Sequence, residues 1–220
     1  MYMIIVGAGS IGASLIDIAV KEKNNVVVID ANSDRAREIS NKYDITVLNG
    51  DATSSETLRE AGSDRADALI ATTSDDAVNL MVVSIAEGLE IPSIVSVVND
   101  KEHAEFFRKL GANIMENPEE VVANHLYNAV KRPKVKDFTI LSQGDQIFRL
   151  TVNEGSSLAG KPLADSSKRG VFPDTVLILS IERGDQRLIP TGDTVIETED
   201  VLTVFSLERA SDELIDKLTG

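Results

Sequence analysis

Short apolar runs punctuate the first half of the chain: Met3–Val6, Val26–Ile29, Ile45–Leu48, Ala68–Ala71, Ile94–Val98 and Ile114–Met115. Most are rich in β-branched residues and none alternates apolar with polar, the pattern of strands covered on both faces. Between them apolar residues recur at helical spacing, as in Ile11, Leu15, Ile18 and Ala19, and again in Leu80, Val83, Ile85 and Ala86. Strand and helix thus alternate up to about Asn117, and parallel neighbours need such crossover helices. The pattern predicts a doubly wound parallel sheet with right-handed crossovers and helices on both faces.

The character of the chain changes near Pro133. Asn117-Pro118-Glu119-Glu120 reads as a helix start, with Asn117 as cap, proline in the first turn and acids at the positive end of the dipole. That helix is expected to run to about Lys131 and to stop at Pro133. Shorter strands follow at Phe138–Leu141, Gln146–Val152, Val176–Ile181, Arg187–Ile189 and Val201–Phe205. Turn signals separate them, at Ser142-Gln143-Gly144-Asp145, Arg183-Gly184-Asp185 and Pro190-Thr191-Gly192-Asp193. An amphipathic helix over Ala210–Leu218 closes the chain. The fold class is α/β: a Rossmann-like doubly wound parallel sheet over residues 1–133, then a smaller α+β domain over 137–220.

Gly7-Ala8-Gly9-Ser10-Ile11-Gly12 is a GxGxxG element that leaves a strand and opens a helix, the context the motif requires. Gly7 allows the tight turn, Gly9 lets backbone amides approach a pyrophosphate, and Gly12 permits close helix–strand packing. Asp30 ends the second strand, where a carboxylate accepts hydrogen bonds from an adenosine ribose and repels a 2′-phosphate. An unphosphorylated ribose, as in NAD(H), is therefore favoured over NADP(H). Two more strand ends carry polar loops. Asp51 and Ala52 are expected to border an adenine, and Thr73 and Ser74 to face ribose or phosphate. Helix capping explains the same residues equally well, through Thr53 or Ser54 in one loop and Ser74 in the other.

Composition narrows the function classes. There are 22 Lys+Arg against 36 Asp+Glu, a formal net charge of −14, which repels phosphate backbones and excludes general nucleic-acid binding. Cysteine is absent, so thiolate chemistry and disulfides are excluded. The only histidines, His103 and His125, do not have metal-ligand spacing, and no metal site is assigned. The apolar start lacks a basic n-region and reads as no signal peptide, and no run reaches the roughly 20 apolar residues of a membrane span. A cytoplasmic location is expected.

A nicotinamide dehydrogenase also needs an acid or base beside the hydride. Tyr127 and Lys131 match a YxxxK pair that shares a helix face, but they stand at the domain exit. His103 is expected to be solvated and His125 to lie on a helix surface or interface. No catalytic residues are assigned. A nucleotide pocket without acid–base groups suggests a sensor, in which ligand binding biases a conformational equilibrium.

Specific segments resemble a known family. Ile4-Ile5-Val6-Gly7-Ala8-Gly9, Val28-Ile29-Asp30, Gly50-Asp51-Ala52-Thr53, Ala61–Asp67, Ala71–Asp76 with Asn79, and Leu110-Gly111-Ala112 look like the RCK domain (regulator of K⁺ conductance) of Trk- and Ktr-type regulatory subunits. Val152–Leu163, Ile189–Thr194 and Glu199–Phe205 are similar to that family's C-terminal ligand-sensing domain. The resemblance implies a non-enzymatic cytosolic subunit, peripheral to the membrane through its partner. It implies dimers that assemble into a ring beneath a potassium-translocating membrane subunit, gated by nucleotide exchange. A regulator of another monovalent cation transporter or antiporter shares these features. The family's nucleotide contacts map to Gly7, Ala8, Gly9, Ser10, Ile11, Asp30, Asp51, Ala52, Thr73 and Ser74. Many relatives carry Arg where this chain has Ser10 and Val97, and two missing cations weaken discrimination among strongly anionic ligands. NAD(H) is the favoured ligand, with AMP, ADP or ATP as alternatives. Glu119 is read as a solvated first-turn acid. Val121, Val122, Leu126 and Val130 are expected to pack either on a partner chain or on the chain's own core.

Overall fold

A computed structural model describes residues 1–141 and 144–220. The chain folds into two compact units, Met1–Val121 and Val122–Gly220. The division falls inside the helix Pro118–Lys131, ahead of the boundary expected between residues 133 and 137.

The first unit opens with β1 (Tyr2–Val6), α1 (Ser10–Lys21), β2 (Asn25–Asp30), α2 (Ser33–Lys42) and β3 (Thr46–Asn49). It continues with α3 (Ser55–Glu60), β4 (Ala68–Ala71), α4 (Asp76–Gly88), β5 (Ser93–Val98), α5 (Ala104–Lys109) and β6 (Asn113–Glu116). Two short 3₁₀ turns, Ser63–Arg65 and Lys101–His103, precede β4 and α5. The strands form one sheet in the order β3-β2-β1-β4-β5-β6, every pairing parallel. Each apolar run predicted from the sequence is one of these strands, to within one or two residues at each end.

The continuous apolar runs follow from burial on both faces. Ile4, Val6, Val27 and Ile29 pack with Leu58, Val82 and Phe107 on one side. Their neighbours Ile5, Val26 and Val28 pack with Ile16, Ala19 and Ile39 on the other. Ile4, Ile5 and Ile29 have no exposed surface, and each such side chain contributes about 1.5–3 kcal/mol through burial.

Helix α6 (Pro118–Lys131) begins as expected, capped by the Asn117 side chain. The Glu120 N–H donates to Asn117 Oδ1 at 3.3 Å, and the Asn117 side-chain Nδ2 donates in turn to Glu120 Oε2 at 2.6 Å. Val121, Val122, Leu126 and Val130 on this helix are 57–83% exposed. They are therefore not core residues of the single chain.

The second unit contains β7 (Val135–Ile140), β8 (Gln146–Thr151), α7 (Leu163–Lys168), β9 (Val176–Arg183), β10 (Gln186–Leu188), β11 (Val201–Ser206) and α8 (Asp212–Thr219). The antiparallel sheet runs β10-β9-β11-β8-β7, with alternating inward residues. Phe148, Leu150, Leu202 and Val204 meet Leu158, Ile196, Ile215 and Leu218 in its core. Two features differ from the sequence pattern. β7 starts at Val135, because Val135 pairs with Leu150 ahead of a register shift between Lys136 and Thr139. Helix α7 has no counterpart among the expected elements; only six residues long, it is too short to show a helical period. Ser142 and Gln143 of the predicted turn lie outside the described residues. Among the described residues, no helix is long and apolar enough to cross a membrane.

One buried ion pair organises this unit. Asp200, with no exposed surface, receives Arg183 Nε and Nη2 at 2.8 Å each, and the Glu197 N–H at 2.8 Å. Burial pushes the Asp200 pKa up, but Arg183 and the Glu197 amide outweigh it and hold the group below its usual value of 3.8. Replacing Asp200 with Ala is predicted to destabilise the chain by about 3 kcal/mol, the low end for breaking a buried pair because Arg183 keeps 30% exposure. A depressed carboxylate contributes stability above its unfolded pKa and loses it as pH falls through the folded one. Denaturant titrations are therefore expected to show the full difference at neutral pH and a shrinking one in strong acid.

Candidate functional site

In the first sheet the winding direction reverses between β1 and β4, and ligands of open α/β sheets lie outside the carboxyl ends of the strands at such a point. The glycine loop leaves β1 there. Gly7 has φ +92°, a conformation costly to residues with a side chain. Thr72, the residue after β4, is buried and donates its hydroxyl to Val6 O at 3.0 Å and to Gly7 O at 2.9 Å. Gly12 lies so close to this turn that a Cβ would stand 1.9 Å from Gly7 O and 2.8 Å from Thr72 Oγ1. Gly7 and Gly12 are thus required by the fold itself.

Gly9 is different. Its φ is −67°, open to any residue, and a Cβ there would meet nothing within 4 Å. Gly9 is the N-cap of α1, where glycine is common, but no neighbouring atom requires this position to lack a side chain. Helical bonding starts only with Ala13 N–H to Gly9 O at 2.8 Å, so the amides of Ser10, Ile11 and Gly12 precede it. Ser10 and Ile11 are exposed. Each of α2 to α8 has an acid in its first turn, and α1 has none. In a chain of net charge −14, no acid in the first turn of α1 offsets the positive end of that dipole.

Asp30 is 7% exposed and already bonded. Its Oδ2 accepts from Ala8 N–H at 2.6 Å and its Oδ1 from Asn32 N–H at 2.7 Å. The carboxylate therefore fixes the glycine loop against the end of β2, a role the sequence did not reveal. Each oxygen keeps a further lone pair for a ribose hydroxyl. The Ala8 amide is not free for a phosphate.

The remaining predicted positions fall in two groups. Asp51 and Ser74 are exposed and Thr73 half-buried, all in loops at the carboxyl ends of β3 and β4. Asp51 Oδ1 accepts from the Thr53 hydroxyl at 2.7 Å and the Thr53 N–H at 2.8 Å, and these bonds lower its pKa. Ala52 and Val97 are buried, at 6% and 5% exposure. Ala52 belongs to the core beside Leu58, and Val97 lies inside β5 with its carbonyl taken by Asn79 and Ser96. The cap of α4 is Asp75, which accepts from the Ala77 and Val78 amides, rather than Ser74.

Two polar junctions hold the loops. Asn79, fully buried, accepts at Oδ1 from the Thr73 N–H and hydroxyl, at 3.1 and 2.7 Å. Its amide donates to Thr73 O at 3.0 Å and Val97 O at 3.2 Å, which ties the β4 loop to β5. A polar residue within the apolar stripe of α4, three and four positions before Val82 and Val83, was the available signal. Asp76 accepts from the Asn99 and Asp100 amides, the Asn99 side chain and His103 Nδ1, at 2.8–2.9 Å. His103, expected to be solvated, is thus paired. Tyr127 and Lys131 share a face, with the ammonium 5.9 Å from the ring centroid, but Tyr127 is 60% exposed on α6.

A nucleotide-type glycine loop at the switch point of a 3-2-1-4-5-6 sheet, with a carboxylate at the next strand end, defines a Rossmann-type binding domain. The TrkA-N domain model matches residues 3–118 and the TrkA-C domain model residues 147–219. A "Trk system potassium uptake protein TrkA homolog" of Pyrococcus abyssi is 31% identical over 219 residues, covering 96% of this chain and 94% of the relative. The chain belongs to this family of paired TrkA-N and TrkA-C domains, the RCK proteins. Among solved structures, the "GsuK channel bound to NAD" superposes with a TM-score of 0.64 at 22% identity, over 98% of this chain. GsuK bound to ADP superposes at 0.53 and 22%, over 60% of this chain. The chain spans 38% and 35% of those two longer chains, and at this identity they share the fold.

Two substitutions separate fold from function. Gly12→Ala is predicted to cost more than about 3 kcal/mol, because the clash is with backbone, whereas Gly9→Ala, which clashes with nothing and only gives α1 a poorer N-cap, costs about 1 kcal/mol or less. Asn79→Leu, which strands the bonding groups of Thr73 and Val97, is predicted to cost about 1–3 kcal/mol in denaturant unfolding.

Proposed function

We propose that the chain is a nucleotide-sensing regulatory subunit of a potassium uptake system, and that it is not an enzyme. Residues 1–133 form the nucleotide-binding domain and 137–220 a second sensing domain. The observation that carries this reading is Gly9, a glycine that no feature of the fold requires, at a helix N-terminus without acids. The diphosphate lies across Gly9 and the amides of Ser10 to Gly12, and the adenosine ribose reaches Asp30. Asp51, Thr73 and Ser74 border the ligand from the neighbouring loops. Ala52 and Val97, being buried, shape the wall through the backbone.

NAD(H) is the expected ligand, with AMP, ADP or ATP as weaker alternatives. The NAD and ADP in the GsuK structures support this class, as does the missing cation at Ser10. The potassium role is supported by the name of the Pyrococcus abyssi relative, matched along nearly its full length. In this reading the exposed apolar residues of α6 pack on a second copy of the chain, dimers assemble into a ring, and nucleotide alters the ring that docks on a membrane potassium-translocating subunit. Such coupling transmits no more than the ligand's difference in affinity between two states, typically about 1–3 kcal/mol.

Equilibrium dialysis against NAD⁺, NADH, AMP, ADP and ATP tests the first step. NAD(H) is expected to bind below millimolar concentration, and Gly9→Ala to weaken it at least about tenfold while the protein stays folded. Absence of binding by any of the five overturns the proposal.

A further inference from the structure

Asp76 and His103 play no part in the site just described, yet they close a loop beside it. Asp76 opens α4, and its side chain is 9% exposed. It gathers four donors, three of them from Asn99 and Asp100 in the segment after β5. The fourth is His103 Nδ1, 2.9 Å from Asp76 Oδ2 across 27 residues of sequence. Within the segment Asn99–His103, His103 N–H donates to Asp100 O at 2.9 Å and Glu102 N–H to Asp100 Oδ1 at 2.9 Å, and Asn99 Nδ2 also reaches Thr73 O, ahead of α4, at 3.4 Å. The attachment of the β5–α5 connection to the first turn of α4 therefore passes through one carboxylate, and one of its donors titrates.

We propose that His103 and Asp76 form a proton-controlled latch: the imidazolium holds residues 99–103 against α4, and the neutral ring loosens that hold. The charged ring gives Asp76 a charge-assisted hydrogen bond, roughly twice the strength of a neutral one. The neutral ring donates only as the Nδ1–H tautomer and without charge. The side chain of His103 is 48% exposed, so protons exchange without unfolding. The charged groups acting on the ring are Asp76 from α4 and Asp100 and Glu102 from its own segment, all acidic. The hydrogen bond that Nδ1 donates to Asp76 is the main cause of a histidine pKa raised above the usual 6.5. On Asp76 burial acts upward, but the amides of Asn99 and Asp100 and the His103 bond outweigh it and hold the carboxylate ionised. A raised histidine pKa gives stability that is complete below the unfolded value and lost as pH rises through the folded one. The latch is thus closed in mild acid and weakened in mild alkali. It stands apart from the nucleotide reading, although residues 99–103 lie at the carboxyl end of the sheet where that ligand is placed.

The chain has two histidines, so ¹³Cε1-histidine labelling gives two signals, with His125 of α6 as the internal comparison. His103 is expected to titrate above the usual midpoint, and Asp76→Asn to remove that shift. Hydrogen–deuterium exchange of the 97–107 segment, corrected for intrinsic rates, supplies a second readout at about pH 5.5 and about pH 8.5. Protection is expected to fall at the higher pH in the native chain and to be independent of pH in His103→Gln. A His103 midpoint at or below the ordinary value overturns the proposal. So does equal protection at both pH values, or a pH response that survives in His103→Gln.

Discussion

The approach of Gly12 to the carbonyl of Gly7 governs the first unit. No side chain fits between them, since a Cβ would stand 1.9 Å from that oxygen. Backbone packed on backbone sets α1 directly on the turn after β1. Thr72 completes the junction from β4, so three elements meet where the sheet reverses its winding. The consequence is functional as much as structural. A helix N-terminus with unpaired amides is held at the carboxyl edge of the sheet, and the open side of Gly9 leaves it accessible.

The polar groups around that edge divide into those that build it and those left for a ligand. Asp30, Thr72 and Asn79 build it, and each spends hydrogen bonds on backbone groups of another strand or loop. Asp76 and His103 fasten the next loop in the same way. What remains open is the first turn of α1, with Ser10 and Ile11 exposed, and the exposed ends of Asp51 and Ser74. Charge reinforces this division. The chain carries 14 more acids than bases, places acids at the start of α2 to α8, and keeps them from α1. An anion would be repelled from most of the surface and attracted at this point.

Local patterns were readable in the sequence, and long-range pairings were not. The parallel strands showed as apolar runs because burial on both faces removes alternation, and the glycine loop and Asp30 showed because their spacing is local. The second role of Asp30, as acceptor for Ala8 and Asn32, depends on where the loop folds back. Asn79 stood in the apolar stripe of α4 as an anomaly, but its partners Thr73 and Val97 lie on different elements. His103 and Asp76 are 27 residues apart, with nothing between them to mark the pairing. In the second unit, Lys134-Val135-Lys136-Asp137 hid the start of β7 because charged residues flank the one inward side chain. The six residues of α7 gave no period to read.

The most direct test is a crystal structure of the chain grown with NAD⁺. The account predicts pyrophosphate oxygens within hydrogen-bond distance of the amides of Ser10 to Gly12, with the adenosine ribose hydroxyls on the Asp30 carboxylate. NAD⁺ bound elsewhere, with the glycine loop facing only solvent, would contradict it.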